Sequence, residues 1–140
     1  MTCSPSLLKL LGIKLAMELT KSKVISEQRL FQAIIVQALE DVMNPSGFKK
    51  ETYWKEDAYK WFYDNSEDFQ DVCWGADMDP DMIRDEFKKL VKCKKIYFTK
   101  LQNHWLNYRK LYRLYRKAEN KEERREIKKR IDEENKKRLA

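Results

Sequence analysis

Apolar side chains recur at intervals of three and four along most of this chain, and that spacing restricts the fold more than any other feature. The clearest run is Phe31, Ile34, Ile35, Ala38, Leu39 and Val42, all on one face of a helix. Only 3 Gly and 3 Pro among 140 residues leave too few turn formers for a many-stranded sheet. The expected fold class is all-α. A compact helical bundle over about residues 6–91 contains a helix-turn-helix-like pair, and a long basic C-terminal helix with a charged, fraying end covers 92–140.

Punctuation residues divide the bundle. Leu7, Leu8, Leu11 and Leu15 suggest a first helix over about residues 6–19, separated from the next by Lys21-Ser22-Lys23. Lys9 and Lys14 interrupt its apolar stretch, which fits an amphipathic helix better than an export signal. Ser26 is placed to cap the second helix, and Asn44-Pro45-Ser46-Gly47 ends it. Trp54, Ala58, Trp61 and Phe62 share one face of a third helix from about Thr52 to Tyr63. Ser66 and Asp79 are N-cap residues for two short helices, the second opening with Pro80, where a missing N–H costs nothing. The expected core holds Phe31, Ile35, Leu39, Trp61, Phe62, Phe69, Val72, Ile83 and Phe87.

Charge is segregated. Residues 1–91 carry 12 Lys and Arg against 16 Asp and Glu, whereas residues 92–140 carry 18 against 7. Within 92–117 there are 9 bases and no acid, a composition suited to a polyanion. Read as one helix, that stretch spans about 39 Å at roughly 1.5 Å per residue. Phe98, Leu101, Trp105, Tyr108, Tyr112 and Tyr115 form a heptad seam along it, with Arg109, Lys110, Arg113, Arg116 and Lys117 alongside. Guanidinium forks grip phosphate oxygens in pairs, and tyrosine rings can stack on unpaired bases. The seam can instead serve helix packing, with the bases simply solvated. Beyond it the seam fails, and only Ile127 and Ile131 remain of it. Glu126–Arg130, Asp132–Lys136, Glu133–Lys137 and Glu134–Arg138 are spaced for ion pairs on a solvated helix without a packing face.

Enzyme classes find little support. His104 is the single histidine and has no acid at helical spacing on its own segment. Asp77, Asp79 and Asp81 lack the glycine and bidentate glutamate of a calcium loop. P-loop, dinucleotide, zinc-protease and nucleophile-elbow motifs are missing. Cys3, Cys73 and Cys93 are odd in number and scattered, which argues against a disulfide framework or a zinc site and for a reducing cytoplasm. No run of 18 apolar residues suggests a membrane span. The expectation is a non-enzyme without metal, cofactor or small-molecule substrate.

The pair Phe69 to Phe87 fits helix-turn-helix spacing, with Val72, Cys73, Ala76, Met78 and Ile83 at the apolar positions. Such an element reads DNA when its second helix enters the major groove. Asp79, Asp81 and Asp85 open that helix and would repel phosphate, so Arg84, Lys88, Lys89 and Lys92 would carry the contacts. An αα-hairpin that only packs is the alternative.

Leu30-Phe31-Gln32-Ala33-Ile34-Ile35 with Gln37-Ala38-Leu39, then Ala58-x-x-Trp61-Phe62, then Asp68-Phe69-x-x-Val72-Cys73-x-x-Ala76-x-x-Asp79-Pro80-Asp81-x-Ile83-Arg84, resembles small helical helix-turn-helix proteins of bacteriophages and alphaproteobacterial prophages, including regulators of gene-transfer-agent operons. The likeness covers about residues 28–90. It implies sequence-specific DNA binding and transcriptional control of phage-type genes in a bacterial or phage-infected cytoplasm, with Asp81, Arg84, Lys88 and Lys89 outward on the reading helix. Lys92, Lys94, Lys95, Arg109, Lys110, Arg113, Arg116 and Lys117 complete the expected nucleic-acid contacts. Three alternatives stay open. The seam can dimerise or dock a helical protein partner, the chain can be a packaging protein like a terminase small subunit, or it can bind RNA or single strands through Tyr112 and Tyr115.

Overall fold

In the computed structural model, residues 26–139 are described. They form six helices: α1 Ser26–Met43, α2 Lys49–Tyr63, α3 Glu67–Gly75, α4 Pro80–Lys92, α5 Lys100–Lys117 and α6 Lys121–Leu139. The all-α expectation holds, and none of these helices is long and apolar enough to cross a membrane. The expected helix over residues 6–19 and Cys3 lie outside the described residues. The chain divides into two units. The described part of the first is residues 26–44 and 54–97, and the second joins residues 45–53 to 98–140.

In the first unit, Ile35, Leu39 and Val42 of α1, Phe62 of α2, Phe69 and Cys73 of α3, and Ile83 and Phe87 of α4 make one core. The Phe62 ring stacks on Phe87 at 5.0 Å and meets Phe69 edge-on at 6.0 Å. Phe31 and Trp61, expected inside, are half-buried at its margin. A Cβ at Gly75 would collide with the Phe31 ring, so glycine is what lets α1 and α3 approach there. Ser66 caps α3 by accepting from the Phe69 N–H, and Asp79 caps α4 by accepting from the Asp81 N–H. Both caps agree with the sequence reading.

Three turns in this unit use a left-handed residue that is not glycine, the first being Asn65, φ 51°, just before α3. Asp77, φ 59°, lets the Met78 N–H reach back to the Cys73 carbonyl at 2.9 Å. Lys94, φ 60°, does the same after α4, where the Lys95 N–H reaches the Leu90 carbonyl at 2.9 Å. Ile96 is then buried beside the core. Lys55 is buried too, donating to the carbonyls of Asn44 at 3.0 Å and Tyr97 at 2.6 Å. Cys73 is a free thiol, and Cys93 is disulfide-bonded, which the reading against a disulfide framework and for a reducing setting did not anticipate.

The second unit corrects the single helix expected over 92–140. The chain leaves α4 at Cys93 and restarts at Thr99, whose hydroxyl accepts from the Gln102 N–H while the Gln102 side chain accepts from the Thr99 N–H. That reciprocal cap stabilises a new helix start just after the apolar Ile96-Tyr97-Phe98. A second break follows Ala118. Asn120 accepts from the Glu123 N–H at 2.8 Å and opens α6. Helices α5 and α6 pack antiparallel, with Ala118 near Ile127 at one end and His104 against Glu134 farther along. Ile131 is only 5% exposed, so α6 has a packing face after all. Its ion pairing differs as well: Glu134 meets Lys137 at 3.8 Å, and Arg138 lies over the Trp105 ring.

Candidate functional site

Residues 45–53 lie against the start of α5 within the second unit. The Gln102 amide donates to the Ser46 carbonyl at 2.9 Å, and the Trp105 indole N–H donates to the Gly47 carbonyl at 2.9 Å. A Cβ at Gly47 would run into Leu101. The Phe48 N–H donates to the Ser46 hydroxyl, and α2 begins at Lys49, three residues before the expected start. Lys49 and Tyr53 therefore stand one helical turn apart, facing α5.

Between them lies a cavity of about 480 Å³. Its cations are Lys49, Arg109, Arg113 and Arg116, its aromatics are Tyr53, Tyr108 and Tyr112, and no carboxylate lines it among the described residues. Positions 109, 113 and 116 step by four and three, which puts the three guanidinium groups on one stripe of α5. Arg109 stacks 4.6 Å over the Tyr53 ring and donates to the Tyr53 carbonyl at 3.4 Å. Lys49 sits 5.1 Å over Tyr108 and 5.9 Å over Tyr53. These contacts fix the inner cations against ring faces. Arg113 and Arg116 make no ion pair among the described residues.

The rings form a ladder. Trp105, Tyr108, Tyr112 and Tyr115 touch in sequence, with centroids 5.6, 4.8 and 6.1 Å apart. A hydrogen bond to Tyr112, and then burial, push the Tyr108 hydroxyl up to about 12, so it stays protonated and adds no negative charge. The expected seam is thus partly used inside the chain. Trp105 and Tyr108 are half-buried, while Leu101 and Tyr112 remain 40% and 37% exposed.

The other expected contacts divide. Lys110 borders a hollow shared with Glu133 and Glu134, and Lys117 one shared with Glu123 and Glu126, so both face acids of α6. Arg84 turns inward, donating to the Tyr63 carbonyl at 3.0 Å, and Lys89 pairs with Glu86 at 3.2 Å. Asp81, Lys88, Lys92, Lys94 and Lys95 are exposed on the first unit. That unit's described residues carry 9 bases against 14 acids, whereas the second unit carries 17 against 8. Lys49 and Tyr53 were missed by sequence reasoning. Their spacing of four, just after Ser46, was the available signal.

A second cavity of about 490 Å³ has His104 and Glu134 in its wall. No group of three or more metal-ligating side chains occurs among the described residues. No protein-family model matches the chain, and neither a curated protein nor a solved structure matches it.

Proposed function

We propose that this chain is a non-enzymatic nucleic-acid-binding protein that grips phosphates with the second unit. The observation that carries the reading is the cavity holding Lys49, Arg109, Arg113 and Arg116 with no carboxylate in its lining. Four cations concentrated in a concave site attract a polyanion far more strongly than four dispersed ones, because their fields add where the ligand sits. The helix-turn-helix-like pair contributes less to this reading, since the described residues of its unit carry an excess of acid. Control of phage-type genes through DNA is the narrower form, carried by the resemblance over residues 28–90.

Binding of labelled oligonucleotides measured by anisotropy across a salt series tests the proposal. Affinity should fall with salt at a slope of about −0.7 to −0.9 per phosphate neutralised, so about −3 for four cations. Salt-independent binding, or none at low salt, overturns it. The bonded Cys93 runs against the reducing compartment expected from the sequence, because disulfides are rare there, so no compartment enters this reading.

A further inference from the structure

We infer that the cavity of the second unit takes a single unstacked nucleotide of one strand, with its base on Tyr112 and its phosphates on Arg113 and Arg116. The inference rests on the nucleic-acid reading above and specifies its ligand.

Size is the first argument. A hollow of about 480 Å³ lies in the range that encloses one small ligand, whereas a base pair flanked by two backbones cannot enter it. Readers of intact duplex present a protruding helix or ribbon to a groove, and here the cations line a concavity. Placement of the rings is the second. One face of Tyr53 is taken by Arg109 at 4.6 Å, and Tyr108 lies under Lys49 at 5.1 Å. Tyr112 is 37% exposed and leans on Tyr108 at 4.8 Å, so it is held in place with surface still open. A pre-positioned ring of that kind accepts any base by stacking. The third argument is charge. Arg113 and Arg116 flank Tyr112 on the same helix and make no ion pair among the described residues, which leaves their forks for phosphate oxygens. Duplex would meet the rim cations but leave the tyrosine unused.

The full chain is titrated with a labelled oligothymidine strand, and three unlabelled competitors follow: the same strand, a duplex of equal length, and an abasic phosphodiester of equal length. The strand should compete at about tenfold lower concentration than either of the others. Tyr112→Leu should bring the strand down to the level of the abasic polymer, and Tyr112→Phe should keep the strand's advantage. Arg113→Gln with Arg116→Gln should weaken all three. Circular dichroism of each variant verifies that the helices persist. If duplex or abasic polymer competes as well as the strand, the single-nucleotide inference is overturned while nucleic-acid binding stands. If polyglutamate competes equally with the strand, the site is a general anion surface and the inference also falls. Failure of every oligonucleotide to bind at low salt removes the parent reading as well.

Discussion

His104 and Glu134, thirty positions apart, meet at 3.2 Å between Nδ1 and Oε1, with side chains only 6% and 11% exposed. The contact bridges α5 and α6, and Arg138, one turn beyond Glu134, lies 4.9 Å over the Trp105 ring next to His104. The His104 Nε2 atom is buried without a partner among the described residues. One polar bridge and a small apolar set, Ala118 and Ile131 foremost, therefore hold α6 in place.

Glu134→Ala should destabilise the chain by about 1–3 kcal/mol, because it leaves the Nδ1 of a buried imidazole without its acceptor. Thermal unfolding followed by circular dichroism measures it. In a double-mutant cycle with His104→Leu the two losses should fall short of additivity; full additivity would mean the two side chains do not interact.

Lys94 is a lysine held at φ 60° in the turn that ends α4, a conformation costing roughly 1 kcal/mol for a residue with a Cβ. Lys94→Gly should stabilise by up to about 1 kcal/mol, and Lys94→Val should lower the melting temperature. Urea midpoints for the two variants must move in opposite directions.

Burial holds the Lys55 ammonium down to about 8, against an ordinary 10.5. Between these values the unfolded chain carries a proton that the folded chain has lost. Raising the pH from about 8 towards 10 should therefore increase the stability contributed by this residue, by at most about 1.4 kcal/mol per pH unit. The Tyr108 hydroxyl, raised to about 12, acts oppositely above about pH 10, which sets the upper end of the window. Urea titrations at pH 8 and pH 10 should show the gain in the wild type and a reduced gain in Lys55→Met.

Burial, helped by the negative charge of Asp79, pushes the Cys73 thiol up to about 12. Alkylation at pH 8 should spare Cys73 in the native protein and modify it only after unfolding. Mass spectrometry of peptides spanning residue 73 reads the result. Rapid native labelling would show that the core opens readily there.

If the proposed function holds, cations in the cavity of Lys49, Arg109, Arg113 and Arg116 should matter more than those facing α6. Arg113→Gln with Arg116→Gln should reduce the salt slope of oligonucleotide binding by about 1.4 to 1.8, whereas Lys110→Gln with Lys117→Gln should change it by less than about half of that. Equal reductions would mean that the whole basic helix, rather than the cavity, faces the ligand.

Much of the first unit was legible in the amino-acid order. Ser66 and Asp79 announce their caps because a short polar side chain before an apolar run satisfies N–H groups that the helix leaves open. The stripe Ile35, Leu39 and Val42 announces its buried face because a period near 3.6 turns apolar groups to one side. Within the site, Arg109, Arg113 and Arg116 could be named together from their spacing alone. The breaks at Lys94 and Ala118 were not legible, since lysine and alanine are themselves good helix formers. The Thr99 and Gln102 pair carried the spacing of a reciprocal cap, yet an unbroken seam from Phe98 to Tyr115 concealed it. Local propensity, periodicity and charge order were thus properties of the chain by itself. Folding alone decided that Lys49 and Tyr53 face α5, that Arg84 turns inward, and that His104 finds an acid thirty residues away. These follow from which surfaces come together, and a one-dimensional pattern says which face of a helix is buried without saying what buries it.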